Sequence, residues 1–430
     1  MRTVGGLLDR MIERENLLAA VWQAARGRRE QPAVQTWLAR LDDELDRLRD
    51  EIGSGRPRCG ECITFTIHDP KERLITAPVF RERVLHHAVM NLCGPVLDRR
   101  LIAHTYACRR GKGTVAALRT AQRFAARNPW FLKLDVRKYF DSIPHEQLFA
   151  ALEKVFREPA VRRILATLVT AYRRGTDHGL AIGTLVSQHL ANFYLAPLDT
   201  LVLQSVRPAG YVRYMDDLAL WTADGESARE GRDRLVEFAR RQLGLEFKTA
   251  FLNRTPHGMD FLGHRVFPYR LALSRASRRR YVRKVRRLHV DWATGRLAED
   301  VAQVRGAALT AFTGHADCLA WRRRILQDLG DGPQTGTACC AAAAGSTTAG
   351  TPGPATATAT TPATATTTTG SVPVPAPAVG RSVLVEQARL PVPSPCAMDK
   401  TPNPCRWSVA PTPWSVAGQG ERQGHFSSKP

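Results

Sequence analysis

Two adjacent aspartates, Asp216 and Asp217, interrupt an otherwise apolar run, Tyr211-Val212-Arg213-Tyr214-Met215-Asp216-Asp217-Leu218-Ala219-Leu220-Trp221. β-rich residues on both sides of so short a polar break predict two strands joined by a hairpin that carries the carboxylates at its tip. An earlier run, Trp130-Phe131-Leu132-Lys133-Leu134, predicts a further strand that ends on Asp135. Adjacent carboxylates repel each other and lose hydration between apolar strands, so a bound cation is their natural counterpart, although a solvated turn accounts for the dipeptide by itself. With Asp135 the pair predicts a two-metal site. Mg2+ takes oxygen ligands, and paired ions stabilise the attacking and leaving oxygens of an in-line phosphoryl displacement, so the expected substrate is a nucleotide.

A polyanionic partner is also what the charge asks for. The 430 residues carry 62 Lys+Arg against 40 Asp+Glu, a formal +22. Beyond Gly330 there are only six Lys+Arg and four Asp+Glu in a segment made largely of Ala, Thr, Pro, Gly and Val, so the basic character belongs to residues 1–330. Runs such as Ala355-Thr356-Ala357-Thr358 lack the large apolar side chains that offset chain entropy, which predicts a disordered tail over 331–430. In it, Trp407-Ser408-Val409-Ala410 recurs as Trp414-Ser415-Val416-Ala417, a docking element or a chance product of biased composition. No stretch approaches the roughly 18 apolar residues of a membrane span. Nine scattered cysteines without a secretory leader predict a reducing, cytoplasmic setting. Cys59 and Cys62 have the gap of a zinc knuckle or redox pair, but no second pair follows at usable spacing.

Residues 17–22 predict one helix, and Val34, Trp37, Leu38, Leu41, Leu45 and Leu48 a second, amphipathic one. Short strands are expected over 63–85, with Pro70 and Pro78 as punctuation, and then a helix from Val84 to Gly94-Pro95 that carries His86 and His87 as packing residues.

The order of these blocks resembles the reverse transcriptases. Tyr-Met-Asp-Asp follows a Leu-Asp-Val-x-x-Tyr-Phe strand end; between them lie Ile182-Gly183-Thr184-Leu185-Val186-Ser187-Gln188, Ala191-Asn192-Phe193-Tyr194-Leu195 and Leu198-Asp199, and after them Gly244 to Thr249 and Phe261-Leu262-Gly263. Upstream, Lys71, Arg73, Pro78, Arg81 to Ala88 and Tyr106 to Thr114 resemble the fingers of bacterial enzymes. The Ile182-Gly183 and Ser187-Gln188 pairs, where group II intron enzymes show Gln-Gly and Ser-Pro, most resemble the enzymes of diversity-generating retroelements. Other prokaryotic reverse transcriptases, of the group II intron, retron or phage-defence kind, are the alternative, and a catalytically idle RNA-binding scaffold a third reading.

The resemblance implies an α+β right-hand polymerase: N-terminal helices and fingers over 1–125, a palm with an antiparallel sheet over 126–270, a helical thumb over 271–330, and the tail. It implies RNA-templated addition of deoxynucleotides, with errors at template adenines, using Mg2+ with Mn2+ as a substitute. Template RNA, the cDNA or primer strand, deoxynucleoside triphosphates and an oligomeric accessory variability protein would be its partners. Asp135 and Asp216 are then direct metal ligands, with Asp217 supporting and the Val136 carbonyl completing the set. Phe140 is the steric gate against a ribose 2′-hydroxyl, with Tyr139 packed in the core. Lys71 and Arg73 neutralise the triphosphate. Ile182, Gly183 and Gln188 lie by the nascent base pair, where Ile182 offers bulk without a hydrogen bond. Lys248 serves the leaving pyrophosphate; Tyr214, Met215 and Gly263 serve the primer, and Arg279 and Arg283 of the basic thumb helix track the duplex.

Overall fold

A computed structural model describes residues 3–68, 71–173 and 175–330. The tail expected over 331–430, with its repeated Trp-Ser-Val-Ala, lies outside the described residues. Helices Leu8–Met11, Arg14–Ala25, Pro32–Leu38 and Leu41–Gly53 open the chain. The stripe from Val34 to Leu48, expected as one helix, is two. Arg40 (φ −119, ψ 35) leaves the helical region and breaks the stripe. The break lets Trp37 pack edge-on against Phe80, centroids 5.2 Å apart, while Leu45, Leu48 and Ile52 are fully buried.

Strands β1 (Cys62–Ile67) and β2 (Arg73–Pro78) pair as an antiparallel hairpin with Phe65 opposite Ile75. The helix expected from Val84 begins four residues earlier, at Phe80, so residues 80–83 are helical and not extended, and the helix Phe80–Asp98 runs through Gly94-Pro95 instead of ending there. Proline inside a helix costs about 3 kcal/mol. Beyond it Val96 and Leu97 are buried, each gaining about 1.5–3 kcal/mol, and this offsets the lost ladder bond.

The central sheet has the order β4-β5-β3-β6, with β3 Trp130–Asp135, β4 Gly210–Tyr214, β5 Asp217–Thr222 and β6 Phe251–Arg254, every pair antiparallel. Strands β3, β4 and β5 read as largely apolar runs because both of their faces are covered, whereas the edge strand β6 is not buried. Leu132, Leu134, Leu218 and Leu220 enter the main core, whereas Phe131, Val212, Ala219 and Trp221 join a second core with Leu118 and Ala121 of helix Thr114–Arg127. A smaller antiparallel sheet follows: β7 (Met259–Phe261), β8 (His264–Val266) and β9 (Leu271–Leu273). Helices Arg275–Ala293, Glu299–Thr313 and Leu319–Gly330 close the described chain around Tyr281, Val285 and Leu326. The α+β class with antiparallel sheets is as expected. No described helix is long and apolar enough to cross a membrane.

Candidate active site

With both faces of β3, β4 and β5 covered, solvent-facing polar chemistry is left to their ends. Asp135 closes β3 and Asp217 opens β5, and the register makes them direct cross-strand partners. Asp216 lies beside them in the two-residue turn between Tyr214 and Asp217. The turn needs a positive φ at its first central residue, a place that favours glycine. Met215 takes it at φ 56, which costs a non-glycine residue about 1–3 kcal/mol. The Val136 amide donates to the Asp216 carbonyl (3.3 Å), and Arg137 and Lys248 amides lace residues 135–137 to 246–248 through Glu246 and Asp135 carbonyls at 2.7 and 2.9 Å. This lacing sets the Lys248 ammonium on the Asp135 carboxylate, to which it donates.

Burial pushes the Asp216 carboxyl above the usual carboxylate range, and the charge of Asp135 adds to this while Lys248 and Arg73 oppose it. Burial likewise pushes Asp217 up to about 7, against the pull of Lys133. Asp217 Oδ1 is buried 3.3 Å from Lys133 Nζ, close enough for an ion pair but without hydrogen-bond geometry. Three crowded carboxylates, two of them desolvated and one of these with an orphaned oxygen, fit a divalent cation electrostatically. They are not arranged as a finished cage: among the described residues no three acidic, His or Cys side chains converge to hold an ion. The expected ligand set of Asp135, Val136, Asp216 and Asp217 is thus gathered but not assembled. Its reason is local charge, since Lys248 occupies Asp135 and Lys133 draws Asp217.

Other expected site residues lie around this end or away from it. Arg73, exposed at the start of β2, is near enough to Asp216 to act on its charge, whereas Lys71 sits exposed in the preceding turn. Phe140 is half-buried and edge-on to Tyr139 at 5.8 Å. Tyr139 is buried, its hydroxyl donating to the Ala191 carbonyl at 2.5 Å. The Ile182 carbonyl accepts from the Thr76 amide at 2.7 Å, which ties β2 to the loop before helix Leu185–Tyr194. Gly183 has φ 114, and a Cβ there would lie 2.4 Å from the Thr76 carbonyl oxygen, so this close approach requires glycine. Gln188 accepts from the Cys108 thiol at 3.6 Å, and Tyr214 accepts at its hydroxyl from Thr114 at 3.3 Å. Leu262 and Gly263 (φ 49 and 79) form the tight turn between β7 and β8, where Gly263 also approaches Ser277 Oγ. Arg279 and Arg283 line a groove of about 490 Å³ on helix Arg275–Ala293, together with Arg278, Arg286 and Trp321.

Sequence reasoning named Arg213, Asn192 and Asp199 only as parts of larger blocks and gave them no role. All three are buried, and Arg213 is hydrogen-bonded to both of the others and to the acidic turn. The available signal was a cation within an apolar strand, because a charge is buried only with a partner.

Residues 68–266, which contain every carboxylate of this end, match the family described as reverse transcriptase (RNA-dependent DNA polymerase). The putative COX1/OXI3 intron 1 protein of Saccharomyces cerevisiae is 22% identical over 164 residues, 36% of this chain and 20% of that protein. The group II intron-encoded protein LtrA of Lactococcus lactis subsp. cremoris is 25% identical over 141 residues, 31% of this chain and 23% of that protein. The solved structure of apo telomerase from Candida tropicalis, truncated from its C-terminal domain, superposes with a TM-score of 0.38 at 11% identity, over 50% of this chain and 55% of that one. The aligned segments make up about a fifth of the length of these two intron relatives. Residues 68–266 are thus similar to reverse transcriptases, and parts of the chain are similar to group II intron proteins.

Proposed function

We propose that the chain is an RNA-directed DNA polymerase that adds deoxynucleotides to a primer 3′-hydroxyl at the carboxylate end of the central sheet. The observation that carries this reading is the gathering of Asp135, Asp216 and Asp217 at one sheet end within the segment that matches the reverse transcriptase family. We assign residues 1–125 to N-terminal helices and fingers, 126–270 to the palm and 271–330 to the thumb. Asp135, Asp216, Asp217 and the Val136 carbonyl would hold divalent cations, Mg2+ or in its place Mn2+. When bound, these would lower the barrier by neutralising charge on the transferring phosphoryl group.

The chain's own residues bind and orient. Arg73, with Lys71, offers cationic donors to the triphosphate, for which the planar guanidinium is well matched. Phe140 presents an apolar ring that leaves a ribose hydroxyl unpaired and short of room. Lys248 holds the Asp135 carboxylate and, once released from it, supplies a cation and proton for the departing pyrophosphate. The Arg279 and Arg283 groove follows the phosphates of the template–primer duplex.

Within this activity the chain is assigned to the diversity-generating type, with adenine-directed errors and an oligomeric accessory protein as partner. Its support is the Ile182-Gly183 and Ser187-Gln188 form of the block beside β2. The group II intron relatives favour a second reading, a faithful prokaryotic reverse transcriptase. Primer extension on an RNA template containing all four bases, with Asp216→Asn as control, tests both. Metal-dependent extension lost in the control is expected. Errors concentrated opposite adenine, reduced by Ile182→Gln, support the diversity-generating assignment; faithful copying, or an error spectrum indifferent to Ile182→Gln, overturns it. Extension undiminished in the control removes the active-site assignment.

A further inference from the structure

The strand that leads into the acidic turn carries a fully buried cation. Arg213 of β4 and Asp199 of helix Ala196–Leu201 are both 0% exposed. Arg213 Nε donates to Asp199 Oδ1 at 2.7 Å and Nη2 to Oδ2 at 2.6 Å, a bidentate pair. Nη1 donates to Asn192 Oδ1 at 2.9 Å and Nη2 to the Asn192 carbonyl at 3.1 Å. The remaining N–H of Nη1 donates to the Met215 carbonyl at 3.0 Å. All five donors of the guanidinium are thereby used. Asp199 is satisfied in turn by the Tyr211 hydroxyl at 2.7 Å and the Thr105 hydroxyl at 3.3 Å.

Charge balance accounts for Asp199, and packing of the neighbouring helix accounts for Asn192. Neither accounts for the bond to Met215. That carbonyl belongs to the residue at φ 56, the strained first position of the turn, and the next residue is Asp216. A buried ion pair is a poor source of stability but a rigid one when every polar atom is met, because any movement strands a charge in the interior. We infer that Arg213 is a positioning residue: anchored by Asp199 and Asn192, its guanidinium clamps the Met215 carbonyl and so fixes where the turn presents the Asp216 carboxylate. The brace also joins the turn to helix Leu185–Tyr194 and, through Arg213 backbone bonds to His104 and Tyr106 at 2.9 Å, to the segment before helix Thr114–Arg127. The inference rests on the polymerase reading for its effect on catalysis, but not for its effect on the turn.

Arg213→Lys tests it, since an ammonium keeps a charge beside Asp199 but lacks the fork that reaches Met215 as well. Two readouts are taken on the full chain: amide hydrogen exchange and steady-state primer extension. The expected result is exchange at the 214–217 amides at least tenfold faster, with the β3 and Phe80–Asp98 amides unchanged. With it, kcat falls tenfold or more while KM for the deoxynucleotide stays within threefold. Unchanged exchange at the turn, or acceleration of all amides in parallel, overturns the inference. If Arg213→Lys does not fold, Tyr211→Phe, which removes one bond to Asp199 and leaves Arg213 in place, decides it by a smaller change in the same direction. A wild-type chain without extension activity removes the polymerase reading alone, and the exchange result still decides the brace.

Discussion

Acid should destabilise this protein through its buried histidines, while protonation of Asp217, pushed up to about 7, works the other way and is common to parent and histidine variant. His86 is 1% exposed within the Phe80–Asp98 helix, with Nε2 3.1 Å from the Tyr172 hydroxyl and the two rings edge to face. Burial, with the neighbouring charges of His87 and Arg83, pushes its pKa down to about 3. The unfolded chain binds that proton near 6.5. A lowered folded value means that the native state holds fewer protons. The contribution is therefore fully present above about 6.5 and is lost as pH falls toward 3. At pH 5 the unfolded side chain is mostly protonated and the native one is not, 1.5 units below 6.5, which amounts to about 2 kcal/mol lost relative to pH 7.5. His87 and His189, each pushed down to about 4 chiefly by burial, act in the same direction. Each adds at most about 2 kcal/mol, less for the partly exposed His87, so the set removes about 4–6 kcal/mol from a net stability of order 5–15. Urea unfolding of the full chain at pH 7.5 and 5.0 measures this. His86→Gln keeps a polar partner for Tyr172 but does not titrate, so its loss between the two pH values should be smaller by about 2 kcal/mol. An identical loss in variant and parent would refute the reasoning.

Three further outcomes are expected. Gly183→Ala places a Cβ 2.4 Å from the Thr76 carbonyl at φ 114 and should detach β2 from the Ile182 loop at a cost of about 2–4 kcal/mol, read as faster proteolysis within residues 62–78 and a lower kcat/KM; an intact hairpin with unchanged kinetics speaks against the tie. Phe140→Ala should raise ribonucleotide incorporation about tenfold or more, measured by competition between the two sugars, and no change would move the gate elsewhere. Replacing Arg279 and Arg283 together by Ala should weaken binding of an RNA–DNA duplex and reduce the slope of log K against log salt by about 2, whereas an unaltered slope would place the duplex off this groove.

Much of this was legible in the sequence, and the reason differs by element. The acidic residues were visible because apolar runs isolate them: in Leu132 to Asp135 and Asp216 to Trp221 every apolar residue is buried, and only the carboxylates and Lys133 are not. Helix limits were not, because they depend on what lies opposite. Pro95 reads as a stop until Val96 and Leu97 are seen in the core, and the stripe from Val34 to Leu48 reads as one helix until Trp37 meets Phe80. The counter-cations Lys133 and Lys248 were equally hidden in part. Lys133 faces Asp217 only through the register of β3 on β5, and the engagement of Asp135 by Lys248 follows from lacing across more than a hundred residues.

That lacing explains why the site needs a brace beneath it. Strands covered on both faces can offer charge to solvent only at their ends, and at this end three carboxylates oppose one another across two strands and a two-residue turn. Repulsion acts to splay them, and burial acts to protonate Asp216 and Asp217. Lys248 and Lys133 answer the charge from above the strands, but neither restrains the backbone of the turn. Arg213 does so from below, on the same strand, with every donor committed. Electrostatic relief and mechanical restraint are thus supplied by different residues. Neutralising a lysine should change the affinity of the site for cations, and altering Arg213 should change where the Asp216 carboxylate stands.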